Sequence, residues 1–223
     1  MFAPAPNPMQ KIARTLLLIW LTTVSASLAA APSGYSINSD SPTGNADSLY
    51  RIDLATGAET RIATVKSLGQ TRLDTEGLAF APDGTLYGLD DDSLTLFALN
   101  PDNASVQAGS EFLIQGLPIG GGNDFGMTFA CDGSLYLTSS ATGSLYRMDL
   151  TGKATRIGAQ GSLNPVKISG LAAWGNPVQL YGLGNGADAE GNPETRNLYL
   201  IDPADGTAEL VGPLGAAAGP YLQ

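Results

Sequence analysis

Carboxylates are the side chains with which this chain could do chemistry. It holds 21 Asp and Glu, 11 Lys and Arg, and no histidine. Ser-His-Asp and Cys-His catalysis, and zinc or haem held by histidine, are therefore excluded. The acidic residues fall in groups. Asp74 and Glu76 stand together, Asp90, Asp91 and Asp92 are consecutive, and Asn123 and Asp124 form an amide–carboxylate pair. Asp40 and Asp47 lie in one polar stretch, and Asp188, Glu190, Asn192 and Glu194 in another. Oxygen ligands of this kind suit Ca²⁺, which takes about six to eight of them. Three adjacent carboxylates repel one another unless solvated or bridged by a cation. Asp90 to Asp92 thus reads either as a solvated acidic turn or as part of a cation site, with Asp90 and Asp92 as its ligands. Asp188 to Asn192 lacks the alternating ligands and closing Glu of a calcium-binding EF-hand loop. Cys131 is the single cysteine, so no intrachain disulfide is available, and no neighbouring base or cation activates it.

The elements that must position these groups announce themselves by repetition. Leu49-Tyr-Arg-Ile-Asp53, Leu96-Phe-Ala-Leu-Asn100, Leu145-Tyr-Arg-Met-Asp149 and Leu198-Tyr-Leu-Ile-Asp202 are near copies, each followed by a turn. Gly77-Leu-Ala-Phe80, Gly126-Met-Thr-Phe129 and Gly170-Leu-Ala-Ala173 recur between them and lead to Leu86-Tyr87, Leu135-Tyr136 and Leu180-Tyr181. A period of about 40 to 50 residues marks a propeller or solenoid. With 28 Gly and 14 Pro, the chain has the material for many tight turns, and Asp-Gly and Thr-Gly pairs supply the positive φ of short hairpins. Four short strands per repeat make a propeller blade. The expected fold is all-β, with four-stranded antiparallel blades at about 34–63, 77–112, 126–159 and 170–212.

In the best repeat the inner strand A runs from Gly77 to Phe80, B from Thr85 to Leu89, C from Leu94 to Leu99, and D from Ser105. Gly34-Tyr-Ser-Ile37 reads as a strand B, so the first blade lacks an inner strand. Three arrangements stay open: a small closed ring, an open arc, or part of a larger propeller. Open blade edges predict association between copies. The recurring Tyr50, Tyr87, Tyr136, Tyr146, Tyr181 and Tyr199, and Trp174, read as packing between blades. Asp53, Asn100, Asp149 and Asp202 read as caps of the turns they open.

Gly77 to Tyr87 resembles blades of the NHL and gluconolactonase/regucalcin-like propellers, and Leu49 to Gly57 looks like repeats of exported bacterial propellers of unknown function. The likeness spans about residues 34–212. In gluconolactonase-like propellers a Glu-Gly pair opening a blade supplies a metal-ligating carboxylate, and Glu76-Gly77 matches it. The resemblance implies Glu76 as a Ca²⁺ ligand, with Asn123 and Asp124 as counterparts of the family's other ligands. Phe125 and Ser169 hold the positions matching Glu76 in the next two blades, which breaks an acidic ring.

Residues 1–29 read as a signal peptide, with Lys11 and Arg14 before an apolar run, Thr15 to Val24, and Ser27-Leu-Ala29 as a cleavage site. The apolar run is about half the length of a membrane span. Residues 30–223 form the propeller domain. Cleavage would carry the net charge, already −10, further negative, against contact with nucleic acid or anionic lipid. The chain is expected to be exported, periplasmic or extracellular, and off the membrane once cleaved. Its long D–A and B–C connections share one face, where binding residues concentrate. The leading functional reading is a non-catalytic scaffold that binds a protein or small molecule on that face. The alternatives are a Ca²⁺-dependent hydrolase of a lactone or phosphate ester with Asp74 as general base, and a truncated propeller without independent function.

Overall fold

Short, largely apolar runs of about five or six residues are broken by turns, and the central strands bury both of their faces, as strands packed between two neighbouring sheets must. The computed structural model describes residues 32–38, 47–72, 74–117, 123–184 and 197–214. The signal segment, Asp40, and the acidic stretch from Asp188 to Glu194 lie outside them.

The first sheet is three-stranded: β1 (Ser33–Asn38), β2 (Ser48–Asp53) and β3 (Glu59–Thr64). A small hairpin, β4 (Lys66–Ser67) and β5 (Gln70–Thr71), follows it. The second sheet is β6 (Thr75–Phe80), β7 (Leu86–Asp90), β8 (Thr95–Leu99) and β9 (Phe112–Leu113). The third is β10 (Phe125–Phe129), β11 (Leu135–Ser139), β12 (Ser144–Met148) and β13 (Ala154–Ile157). The fourth is β14 (Ile168–Trp174), β15 (Gln179–Gly184), β16 (Asn197–Ile201) and β17 (Ala208–Pro213). Every sheet is an antiparallel meander in chain order, and together the sheets are the blades of a four-bladed β-propeller. The register repeats from blade to blade: Ile37 faces Leu49, Leu89 faces Leu96, Thr138 faces Leu145 and Leu183 faces Leu198.

The core lies between blades. Tyr35, Ile37 and Leu49 of the first sheet meet Leu86, Phe97 and Leu99 of the second. Tyr87, Leu89 and Leu96 of the second meet Phe125, Met127, Tyr146 and Met148 of the third. Tyr136 and Leu145 of the third meet Leu180, Tyr199 and Ile201 of the fourth. One glycine is required by such packing. An ideal Cβ on Gly88 would lie 2.5 Å from Cε2 of the Phe97 ring, so only hydrogen leaves the ring its place. The turns form as their sequences demand. Gly84 and Gly133 have φ of 87° and 84°, and Asp83 and Asp132 accept the N–H of Thr85 and Ser134 at 2.9 Å. Cys131 is exposed in the second of these turns. Asp53, Asn100, Asp149 and Asp202 do cap their turns, each accepting the N–H two residues on.

Three details depart from the sequence reading, and a fourth bears on a question it left open. After Leu99 the chain makes only isolated bridges, Ser105 to Lys66 and Val106 to Leu99, and returns to the sheet at Phe112, so strand D of the second blade starts later than Ser105. Ser110 Oγ instead receives the Ala98 N–H at 3.0 Å and donates to the Gln107 carbonyl, holding the detour in place. The connection between the first two blades is pinned as β4–β5, with Leu68 and Gly69 at positive φ in its turn. Trp174 is 72% exposed rather than packed. Blades adjoin in chain order, β1 to β6, β6 to β10 and β10 to β14, and among the described residues no comparable contact joins β14 to β1.

Candidate functional site

A cleft of about 340 Å³ runs along the inner strands of the second, third and fourth blades. Its floor is Gly77, Leu78, Phe125, Met127 and Leu171, and it extends over Tyr181, Leu183 and Leu198 on the fourth sheet. Glu76 and Ser169 line it where β6 and β14 begin, the end at which the long connections enter the blades. Apolar lining with few polar groups is the ordinary character of a ligand cleft. Tyr181 and Glu76 are its only titratable members among the described residues.

Glu76 is placed by the blade joint. Its Oε2 accepts the Phe125 N–H at 3.1 Å, so the carboxylate of one inner strand satisfies the first residue of the next. Asp47 makes the equivalent bridge one blade earlier, accepting the Thr75 N–H at 2.6 Å. Asp47 is fully buried, and its own N–H and C=O are engaged by Arg72 and Val65. Burial pushes its carboxyl up to about 6; the hydrogen bond from the Thr75 N–H opposes this, and the neighbouring Asp90 and Asp74 add to it. Asp47 Oδ1, Thr75 Oγ1 and Asp90 Oδ2 are buried without a protein hydrogen-bond partner.

The other expected site residues are used locally. Asp90, 2% exposed, accepts the N–H and hydroxyl of Ser93 through Oδ1 and pairs with Arg72 at 3.7 Å. Arg72 also pairs with Glu111, donates to Ser93 Oγ and stacks over Phe97 at 5.3 Å. Asn123 is buried, its Oδ1 taking the Ser139 hydroxyl and the Ala141 N–H. Asp124 receives the Ser140 N–H on its main-chain oxygen and gives its own N–H to Ser140 Oγ. Asp74 accepts the Asp91 N–H on its main-chain oxygen, and Asp92 is exposed. Among the described residues no three Asp, Glu or Cys gather closely enough to hold a metal ion. Of the residues read as ligands, Glu76 bonds across to the next blade, Asn123 holds the turn at Ser139 to Ala141, and Asp90 has an arginine as its counter-ion.

Sequence reasoning missed Arg72, Ser169 and the cleft wall formed by Leu183 and Leu198. Arg72 had no motif to reveal it. Leu183 and Leu198 were visible as members of the repeat, but which blade lacks a neighbour is not written in a repeat.

The repeat geometry now has a counterpart among known sequences. The pattern of a family described as a repeat of unknown function (DUF6923) matches residues 25–156, more than half of the chain. The chain belongs to that family. No curated protein matches it. Among solved structures, a structural genomics protein of unknown function from Bacteroides thetaiotaomicron is 17% identical, over 79% of this chain and 44% of its own, with a TM-score of 0.52. Regucalcin, a calcium-binding protein from Agrobacterium tumefaciens, is 19% identical over 69% of this chain and 50% of its own, with a TM-score of 0.44. A gluconolactonase from Xanthomonas campestris is 19% identical over 70% and 52%, also at 0.44. The chain thus spans about half the length of the solved structures it matches. These likenesses are likenesses of fold.

Proposed function

We propose that the chain is an exported, non-catalytic propeller that binds a partner along the cleft of its inner strands and the adjoining face of the fourth sheet. One observation carries this reading: among the described residues the cleft is walled by apolar side chains and holds a single carboxylate, Glu76, which accepts the Phe125 N–H. General acid–base turnover needs a positioned donor or acceptor of matched pKa. The group with the strongly raised pKa, Asp47, is sealed between blades and does not line the cleft. A strand-like or apolar partner segment suits the wall better than a sugar lactone or a phosphate ester. The end of the cleft at Glu76 and Ser169 opens toward the long connections, which would lend it further contacts.

The test is fluorescence anisotropy at nanomolar chain, with labelled synthetic peptides that alternate Leu or Tyr with polar residues. Saturable binding is expected, weakened at least about tenfold by Leu183→Arg. The reading fails if no peptide binds, or if a lactone or p-nitrophenyl phosphate is turned over with calcium and Glu76→Ala abolishes that turnover.

A further inference from the structure

The three filled joints among the described residues share one design. The giving face carries Tyr87, Leu89 and Leu96 in the second blade and Tyr136 and Leu145 in the third. The receiving face carries a large residue and an aliphatic one two positions on: Phe97 and Leu99, Tyr146 and Met148, Tyr199 and Ile201, all 7% exposed or less. The repeat supplies one further copy of each face. The fourth sheet presents Tyr181, Leu183 and Leu198 at the giving positions, all only half-buried. Leu200 stands there where the second and third blades have Ala98 and Arg147, and Trp174, on the same face by its pairing with Gln179, is 72% exposed. At the other end of the molecule the first sheet presents Tyr50 and Ile52 at the receiving positions, also half-buried. Leu54, 58% exposed, lies over Gly34 beside them. Apolar side chains left partly exposed together on one sheet face mark an interaction site.

We infer that these two faces are the halves of a fourth joint and that a second copy of the chain completes it, the first sheet of each copy seated on the fourth sheet of the other. The inference rests on the proposed binding role of the fourth sheet and names its partner. The chemistry that recognises the partner occurs three times within the chain, as joints made of like side chains in the same register. The contact is reciprocal, first sheet on fourth in both directions, so it closes as a two-fold dimer. Two copies of four blades make eight, within the usual range of propeller rings of about four to eight.

The experiment is sedimentation velocity of the purified chain from nanomolar to high micromolar concentration, with Leu183→Arg on the fourth sheet and Ile52→Arg on the first. A dimer is expected for the wild-type chain, with association weakened at least about tenfold in either variant. Mixing the two variants leaves one intact joint, Leu183 of one against Ile52 of the other, so the mixture is expected to regain association that neither shows alone. Trp174→Asp, at an exposed position, serves as a second fourth-sheet variant whose fold is not at risk. A wild-type chain that stays monomeric throughout overturns the second-copy inference. So does a dimer in which Ile52→Arg associates as well as wild type, because the fourth sheets would then be meeting each other. If the chain is monomeric but Leu183→Arg still abolishes peptide binding, the binding role stands and only the partner is wrong; if Leu183→Arg leaves peptide binding unchanged, both fall.

Discussion

The carboxylate of Asp47 receives the Thr75 main-chain N–H at 2.6 Å, tying the first blade to the opening residue of the second blade's inner strand. The bond is formed in a fully buried place, beside Asp90 and Asp74, and burial lifts the Asp47 carboxyl from 3.8 to about 6. The folded chain therefore holds this proton more tightly than the unfolded chain. The stabilisation is complete below the unfolded pKa and is lost as pH rises through about 6. Asp47→Asn keeps an acceptor for Thr75 and never ionises. It is expected to match the wild type near pH 4 and to exceed it near pH 8 by up to about 3 kcal/mol. Urea unfolding at the two pH values checks this, and a variant less stable than wild type near pH 8 would show that the charged form is the one the fold prefers.

Glu76 tests whether a blade-opening carboxylate in this chain is a strut or a ligand. Glu76→Ala leaves the N–H of buried Phe125 without its acceptor and is expected to cost about 1–2 kcal/mol. Glu76→Gln keeps an acceptor oxygen and is expected to recover most of that. A metal-ligand role gives the opposite pattern, with Gln as poor as Ala and a melting temperature that rises with calcium in the wild type alone. Thermal melts of the three proteins, with and without calcium, separate the two.

How much of this was legible beforehand differs by residue. The turn caps at Asp53, Asn100, Asp149 and Asp202 were readable, because capping is local and an Asx side chain reaches only two residues along. Strands A to C were readable, because alternation and turn chemistry are written in each repeat. The site was not. Whether Glu76 meets Phe125 or a cation depends on how two blades approach, a contact between residues 49 positions apart. Trp174 read as packing because it follows the recurring strand A motif; it is exposed because its blade has no described neighbour on that side, a fact of the array and not of the segment.

Arg72 is the counter-ion of a pair of carboxylates and should behave as one. Its guanidinium reaches Asp90, Glu111 and Ser93 while its face covers Phe97, and its side chain is only 14% exposed. Arg72→Ala leaves two partly or fully buried carboxylates uncompensated, so a loss of about 3–5 kcal/mol is expected. Arg72→Lys restores charge but not the planar fork or the stacking, and should fall between. Denaturant midpoints order the three proteins; a lysine variant as stable as wild type would mean that charge alone matters here.

Gly88 carries the sharpest packing prediction. It lies mid-strand in β7, where glycine ordinarily weakens a sheet, so replacement by alanine would stabilise the strand if space allowed. Space does not allow it: the new methyl would lie 2.5 Å from Cε2 and 2.7 Å from Cζ of Phe97, a ring with no exposed surface. The ring is wedged in the joint between the first two blades and cannot swing away without disturbing Leu49 and Leu99. Gly88→Ala is expected to cost about 1–3 kcal/mol. Pairing it with Phe97→Leu should return part of that loss by giving the methyl room, and this non-additivity, measured in a double-mutant cycle by urea unfolding, separates a steric cause from a backbone one. Additive losses would place the cost of Gly88→Ala in the strand itself.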